Sequence, residues 1–546
     1  MLVDLLFAKI YRYVIIKEYL TIKRSLRRMK KLPIGVQDFV KIRQRNYLYV
    51  DKTGKLLELI EQGERYFLSR PRRFGKSLML STFGAMFSGR KELFEGLAAE
   101  QWVTRQSERP APVLRLDMSG LRAYSSGEEL NLVIVKALED FNLLNDIDVP
   151  LERTAGGMLL RTIHKLYKQR GAVAVLIDEY DKPILDNLSN IKRAHEMRDV
   201  LRSFYTVLKS CDEFLRFVFI TGISKFSKMG VFSAMNNLED ISMDRQFGDI
   251  AGYTQSELEY CFDDWLNSAS AEMGSNRNEL LARLREYYDG FSFDGRTRLY
   301  NPFSILQCLK KGEFRNYWYE SGSPSFIVEW MKEHQILDPE DYRHIVINSN
   351  DFISTQEIEQ ADAPSFLYQS GYLTIEKKED QLLTLDYPNR EVMNSLSSMY
   401  LKLVYCVEDY ALLGNQIWKA LRQGNISEIV RFYNTALAGI AYDDYGKNLN
   451  EFWYRSMFVM LLRGAGIISY SEPHTSKGRA DVVIQFKNLT VVLEFKLSKT
   501  SAGVDEMKRV GEQQIRERGY AEGYGSDGHE VITAVLVADA EKREVR

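Results

Sequence analysis

At 546 residues the chain is too long for one ordinary core, and two to four domains are expected. Its 45% hydrophobic and 27% charged residues exclude extensive disorder, and 73 Lys plus Arg against 75 Asp plus Glu exclude a global basic charge, so any nucleic-acid-binding face must be local. Four widely spaced cysteines, Cys211, Cys261, Cys308 and Cys406, form no C-x-x-C pair, which argues against a zinc cluster or disulfide framework and fits a reducing cytoplasm.

The first twenty residues are apolar, but Asp4, Lys9, Arg12, Lys17 and Glu18 interrupt them, so no membrane span is expected. The basic cluster Lys23, Arg24, Arg27 and Arg28 follows the apolar part, the reverse of a signal peptide. Residues 1–30 read as a helical extension, with an amphipathic surface helix or a true start at Met29 as alternatives. From Tyr66 come a short strand (Y-F-L-S), a loop and a helix. The apolar runs V-L-R-L-D (113–117), V-A-V-L-I-D-E (173–179) and F-V-F-I-T-G (217–222) follow, separated by helical stretches. That alternation predicts an α/β domain with a parallel sheet and helices on both faces. Residues 301–440 read as mainly helical, with a hairpin at Gly371–Leu385. Beyond residue 441 a helix (451–463), strands at 480–486 and 490–497, a helix near 503–519 and a strand at 531–537 predict a small α/β domain.

The run R-P-R-R-F-G-K-S (70–77) between strand and helix predicts a phosphate-binding loop. Backbone amides of the loop and helix start, with Gly75 among them, would cradle phosphate oxygens. Lys76 would reach the β- and γ-phosphates of ATP, and the Ser77 hydroxyl would hold Mg²⁺. The usual first glycine is replaced by Arg70. Asp178, at the end of an apolar strand, is expected to hold the Mg²⁺ water and Glu179 to orient attacking water; Thr221 or Ser224 would sense the γ-phosphate.

The runs K-L-P-I-G-V-Q-D-F (31–39), Y-V-D-K-T (49–53) and F-L-S-R-P-R-R-F-G-K-S (67–77), with L-I-D-E-Y-D-K-P (176–183), T-G-I-S-K-F (221–226), Y-D-G-F-S-F (288–293) and Y-N-P-F-S (300–304), resemble a bacterial family of AAA-type ATPase-like proteins. The resemblance covers nearly everything after residue 30. It implies an ATPase-like domain over 31–300, in which the missing first glycine is normal, and commonly a C-terminal PD-(D/E)xK nuclease-like domain, here 441–546. Arg72 and Arg73 belong to the family motif and would contact phosphate or make surface salt bridges. The resemblance assigns neither a ring oligomer nor an arginine finger.

Nucleases of that type need two carboxylates for Mg²⁺ and a lysine. Asp481, after G-R-A, and E-F-K at 494–496 supply them: Glu494 and Lys496 share a strand face while Phe495 points into the core. The family pattern adds Glu451 on the preceding helix as a further metal-facing acid. Glu472 is a weaker candidate, and Gln514 with Tyr520 are supporting residues. Exposed helix positions are the alternative for Glu451 and Gln514. His474 reads as a loop histidine, and the aromatics of Y-Y-D-G-F-S-F as packing residues. The function expected is an ATP-binding, ATP-hydrolysing protein coupled to Mg²⁺-dependent cleavage of DNA in preference to RNA. The rival is a nucleotide switch whose nuclease fold serves as a binding platform.

Overall fold

The computed structural model describes residues 29–224, 231, 237–320, 339–353, 362–440, 450–471, 474–475, 478–485, 488–520, 522, 524 and 530–546. The N-terminal extension, Lys225 and Glu472 lie outside them.

Five strands, β1 (Arg65–Ser69), β2 (Val113–Asp117), β3 (Val173–Asp178), β4 (Leu215–Gly222) and β5 (Glu239–Asp240), form one parallel sheet in the order β2-β3-β4-β1-β5. Every residue of β1 and β3 is buried, as expected for strands covered on both faces. One face carries helix α1 (Lys76–Phe87), whose Leu80, Phe83 and Phe87 meet Leu176, Phe217 and Phe219. The other face packs a separate cluster around Leu159, Ile163, Leu201 and Phe204. Strand β4 separates β1 from β3, so the loop after β1 and the acids after β3 flank the end of β4. Gly222 closes β4 where a Cβ would lie 2.5 Å from the Tyr180 ring, so the absence of a side chain lets that ring pack against the end of the strand.

Beyond helix α2 (Pro302–Lys311), β6 (Ile345–Asn348), β7 (Thr374–Glu379) and β8 (Leu382–Asp386) form an antiparallel sheet ordered β6-β8-β7. The predicted hairpin thus has a third strand, within a stretch otherwise read as helical. Helices α3 (Arg390–Met399), α4 (Ile426–Ala438) and α5 (Glu451–Gly464) follow. The last sheet contains β9 (Ser469–Ser471), β12 (Val482–Gln485), β13 (Leu489–Ser498), β14 (Glu530–Asp539) and β15 (Glu544–Val545), ordered β15-β14-β13-β12-β9. Between β9 and β12 a separate ribbon pairs β10 (His474–Thr475) with β11 (Gly478–Arg479). β13 and β14 are parallel, and helix α6 (Val504–Arg518) links them.

One apolar core runs from the phosphate-loop side, at Phe74 and Phe293, through Tyr372 and Leu396 to Phe458, Phe495 and Leu536. Packing therefore continues across residues 300 and 440, the two boundaries expected from sequence. No helix among the described residues is long and apolar enough to cross a membrane.

Candidate nucleotide and metal sites

The loop between β1 and α1 turns at Gly75, whose φ of 89° suits a residue without Cβ. Arg70, where a glycine is usual, is 1% exposed. Its guanidinium donates to the carbonyls of Ser69, Ser242 and Phe247 and lies 4.0 Å from the Phe293 ring centroid. Burial lowers its pKa to about 10. Arg70 is thus a strut beneath the loop. Phe74 packs edge-on against Phe291 and Phe293, so the D-G-F-S-F aromatics are packing residues. From above, Trp318 Nε1 and Asn301 Nδ2 donate to the Arg72 carbonyl at 3.3 and 3.5 Å.

Lys76 Nζ donates to the carbonyls of Arg70 and Pro71 at 2.9 and 3.1 Å. Burial lowers its pKa, while Glu179, Asp178 and Asp181 oppose the shift. Ser77 is half-buried at the start of α1. Thr221 Oγ1 donates to Asp178 Oδ1 at 2.8 Å, as does the Glu179 amide at 3.1 Å. Asp178 Oδ2 is buried with no hydrogen-bond partner. Glu179 has φ 49°, a left-handed conformation that bends the chain away from β3, and burial raises its pKa. Ser224 donates through amide and hydroxyl to Asp181, leaving Asp181 as a buried brace between the ends of β3 and β4. Arg73 is exposed and stacks over Phe303 at 5.0 Å.

A cleft of about 120 Å³ opens beside Gly75, Lys76 and Ser77, walled by Val36, Gln37 and Phe303. A more apolar pocket of about 80 Å³ shares its walls at Gly75, Leu78, Tyr253 and Pro302. Sequence reasoning placed several of these walls inside family motifs but gave them no role. Tyr253 carried no signal, because it reaches the cleft only through the fold.

In the C-terminal sheet, Asp481 lies one step beyond the Val482–Leu493 pair, opposite Glu494. Its Oδ2 accepts the Phe495 amide at 2.6 Å and its Oδ1 accepts from Arg455 at 3.2 Å. Glu494 is 1% exposed; Oε1 accepts from Lys496 Nζ at 2.7 Å, and Oε2 is buried without a partner. Glu451, in the first turn of α5, lies 3.9 Å from Lys496 Nζ. Burial, then the charge of Asp481, pushes Glu494 up to about 7. Burial also raises Glu451. For Lys496 burial acts downward, but the bond to Glu494 and three nearby carboxylates raise it on balance. Gln514 donates to the Tyr520 hydroxyl at 3.2 Å. Arg455, one turn after Glu451, escaped the sequence reading because its acid lies twenty-six positions away on another element.

Buried carboxylate oxygens without partners are costly, about 1–3 kcal/mol or more each. Asp178 Oδ2 and Glu494 Oε2 are two such atoms, each near a lysine. Hard oxygen donors of this kind suit a divalent cation such as Mg²⁺, so both residue sets fit one.

Residues 33–232 match a family model described as predicted AAA-ATPase, and residues 449–546 one described as the PD-(D/E)XK nuclease superfamily. A relative from Azotobacter chroococcum mcd 1, described as an uncharacterized protein in the vnfD 5′ region, is 36% identical over 519 residues, covering 92% of this chain and 95% of the relative. A solved structure of the Aeropyrum pernix ORC1 protein in complex with DNA aligns over 63% of this chain and 90% of its own, at 11% identity. Its TM-score of 0.23 is too low to carry an argument. The chain belongs to the family of AAA-ATPase-like proteins that carry a C-terminal PD-(D/E)XK nuclease-superfamily domain.

Proposed function

We propose that the protein binds and hydrolyses ATP at residues 70–77 and cleaves DNA at Asp481, Glu494 and Lys496, with nucleotide binding licensing the cut. The observation that carries the nuclease reading is the unpaired Glu494 Oε2, buried beside Lys496 and opposite Asp481. Asp481, Glu494 and Glu451 would hold Mg²⁺, which supplies charge stabilisation at the phosphodiester and a more acidic water. Lys496 would orient that water or neutralise developing charge, and Gln514 on α6, bonded to Tyr520, would be a supporting residue.

At the other site, backbone amides from Arg72 to Ser77 would receive phosphates and the adjoining cleft the base. Lys76 would exchange its two carbonyl partners for β- and γ-phosphate oxygens. Ser77 and Asp178 would hold the cation, Thr221 would keep Asp178 oriented, and Glu179 would align water. Arg72 and Arg73 are candidates for outer phosphate contacts.

A second reading is favoured by one contact: Arg455 occupies Asp481 Oδ1, as in a platform that needs no cation. Purified protein incubated with single-stranded, duplex and structured DNA or RNA, with and without ATP, in Mg²⁺ or Mn²⁺, separates the two. Metal-dependent DNA cleavage that Lys496→Ala abolishes is expected. ATP binding without cleavage of any substrate would leave the platform.

A further inference from the structure

A groove of about 650 Å³ belongs to neither site. Its floor is the outer edge of β14. The partner β15 covers only the end of that strand: Ala538 and Asp539 pair with Val545 and Glu544, and Val537 exchanges two backbone hydrogen bonds with Arg546, at 2.8 and 2.9 Å. Outward-facing backbone groups recur every second residue, so those of Val535, Thr533 and Val531 point the same way as those of Val537. Among the described residues, no strand pairs with this stretch on that side.

The two walls differ in chemistry. On one face of the sheet α4 presents Ile426 and Val430, partly exposed and one turn apart, beside Ile532 and Ala534. On the other face α6 presents Lys508, Glu512 and Arg516 in successive turns. Lys508 and Arg516 are exposed and have no carboxylate partner among the described residues, while Arg546 at the groove's end is already paired with Asp539 and Glu544. A strand added to this edge would place alternate side chains against an apolar wall and a wall with net positive charge.

We propose that the groove is a strand-addition site for an extended acidic peptide of alternating pattern, apolar toward α4 and carboxylate toward α6, pairing antiparallel with Val531–Val535 as β15 pairs with the strand's end. Main-chain bonds to the open edge would give affinity, and the two walls would set register and charge preference. Exposed edges of this length are otherwise liabilities that proteins blunt.

The test uses the full chain and a labelled nine-residue peptide alternating glutamate and valine, followed by fluorescence anisotropy. Saturable binding is expected, with hydrogen-exchange protection of the Thr533 and Val535 amides. Lys508→Glu with Arg516→Glu should weaken it about tenfold or more and transfer preference to a lysine–valine peptide. Both residues are exposed, and an unchanged circular dichroism spectrum would show that the double variant folds. The same peptide N-methylated on its pairing edge should not bind. Equal binding of the methylated peptide, or indifference to charge reversal, overturns the proposal. So does a single-stranded oligonucleotide that displaces the peptide and depends on the same two cations, since the groove would then be a nucleic-acid surface.

Discussion

Lys76 and Lys496 both lie among carboxylates, the first buried and the second partly buried, yet they are held in opposite ways. Lys76 rests on two neutral carbonyls of its own loop, and its pKa is lowered by burial. Lys496 is bonded to a carboxylate, and its pKa is raised. The first arrangement leaves a cation short of anionic partners, as suits a site that receives a polyanion. The second is internally compensated, as suits a site whose lysine stands in for positive charge until more arrives. Local partners, more than residue type, decide which kind of ligand each lysine can serve.

The comparison breaks most visibly at Glu494. Glu494→Gln should reduce metal-dependent DNA cleavage about a thousandfold, by analogy with the loss of one key electrostatic group, while leaving ATP affinity unchanged. A gel-based cleavage assay beside calorimetry reads both, and retained cleavage would refute the assignment. Lys76→Ala should do the reverse, lowering ATP affinity roughly a hundredfold through loss of charge-assisted bonds. Unchanged affinity would dismiss the phosphate-loop reading.

Arg455→Met sharpens the contrast. With Asp481 Oδ1 released, Mn²⁺ affinity measured by calorimetry should rise about threefold to tenfold if the arginine competes with the cation. A fall would mean instead that Arg455 holds Asp481 in its binding pose.

The smallest effect concerns pH. Burial pushes Glu391 up to about 8; its Oε1 accepts from the Trp318 amide and Ser304, and Oε2 is unpaired. A carboxyl whose folded pKa lies above the unfolded value, about 4.3, favours folding at low pH. That contribution should decline as pH rises from about 4.3 through 8. Glu391→Gln should therefore melt close to wild type at pH 5 and above it at pH 9. Parallel melting curves would show that Glu391 does not ionise there.

The α/β core is legible because its strands are continuous apolar runs; Asp481, Glu494 and Lys496 are singled out by the family pattern, and strand periodicity accounts only for Glu494 and Lys496 sharing a face. Strand β6, I-V-I-N, was missed because four residues with alternating burial carry little signal. The two-residue strands β5 and β15 form only because neighbours are present to pair with. In the run D-E-Y-D the strand end singles out Asp178 and Glu179 and passes over Asp181, whose bonds from Ser224 depend on the turn after β3. The proposed roles of Arg455 and the cleft walls rest on residues far apart in sequence, beyond the reach of local pattern.

The bonds from Trp318 and Asn301 to the Arg72 carbonyl bear on how the chain may be divided. Both donors come from beyond residue 300, so a fragment ending there would keep the phosphate loop but strip away its upper contacts. Grafting this ATPase-like half onto another effector would therefore have to carry Asn301 and Trp318 along with it. A swap at residue 300 would leave the loop without these two contacts to the rest of the chain.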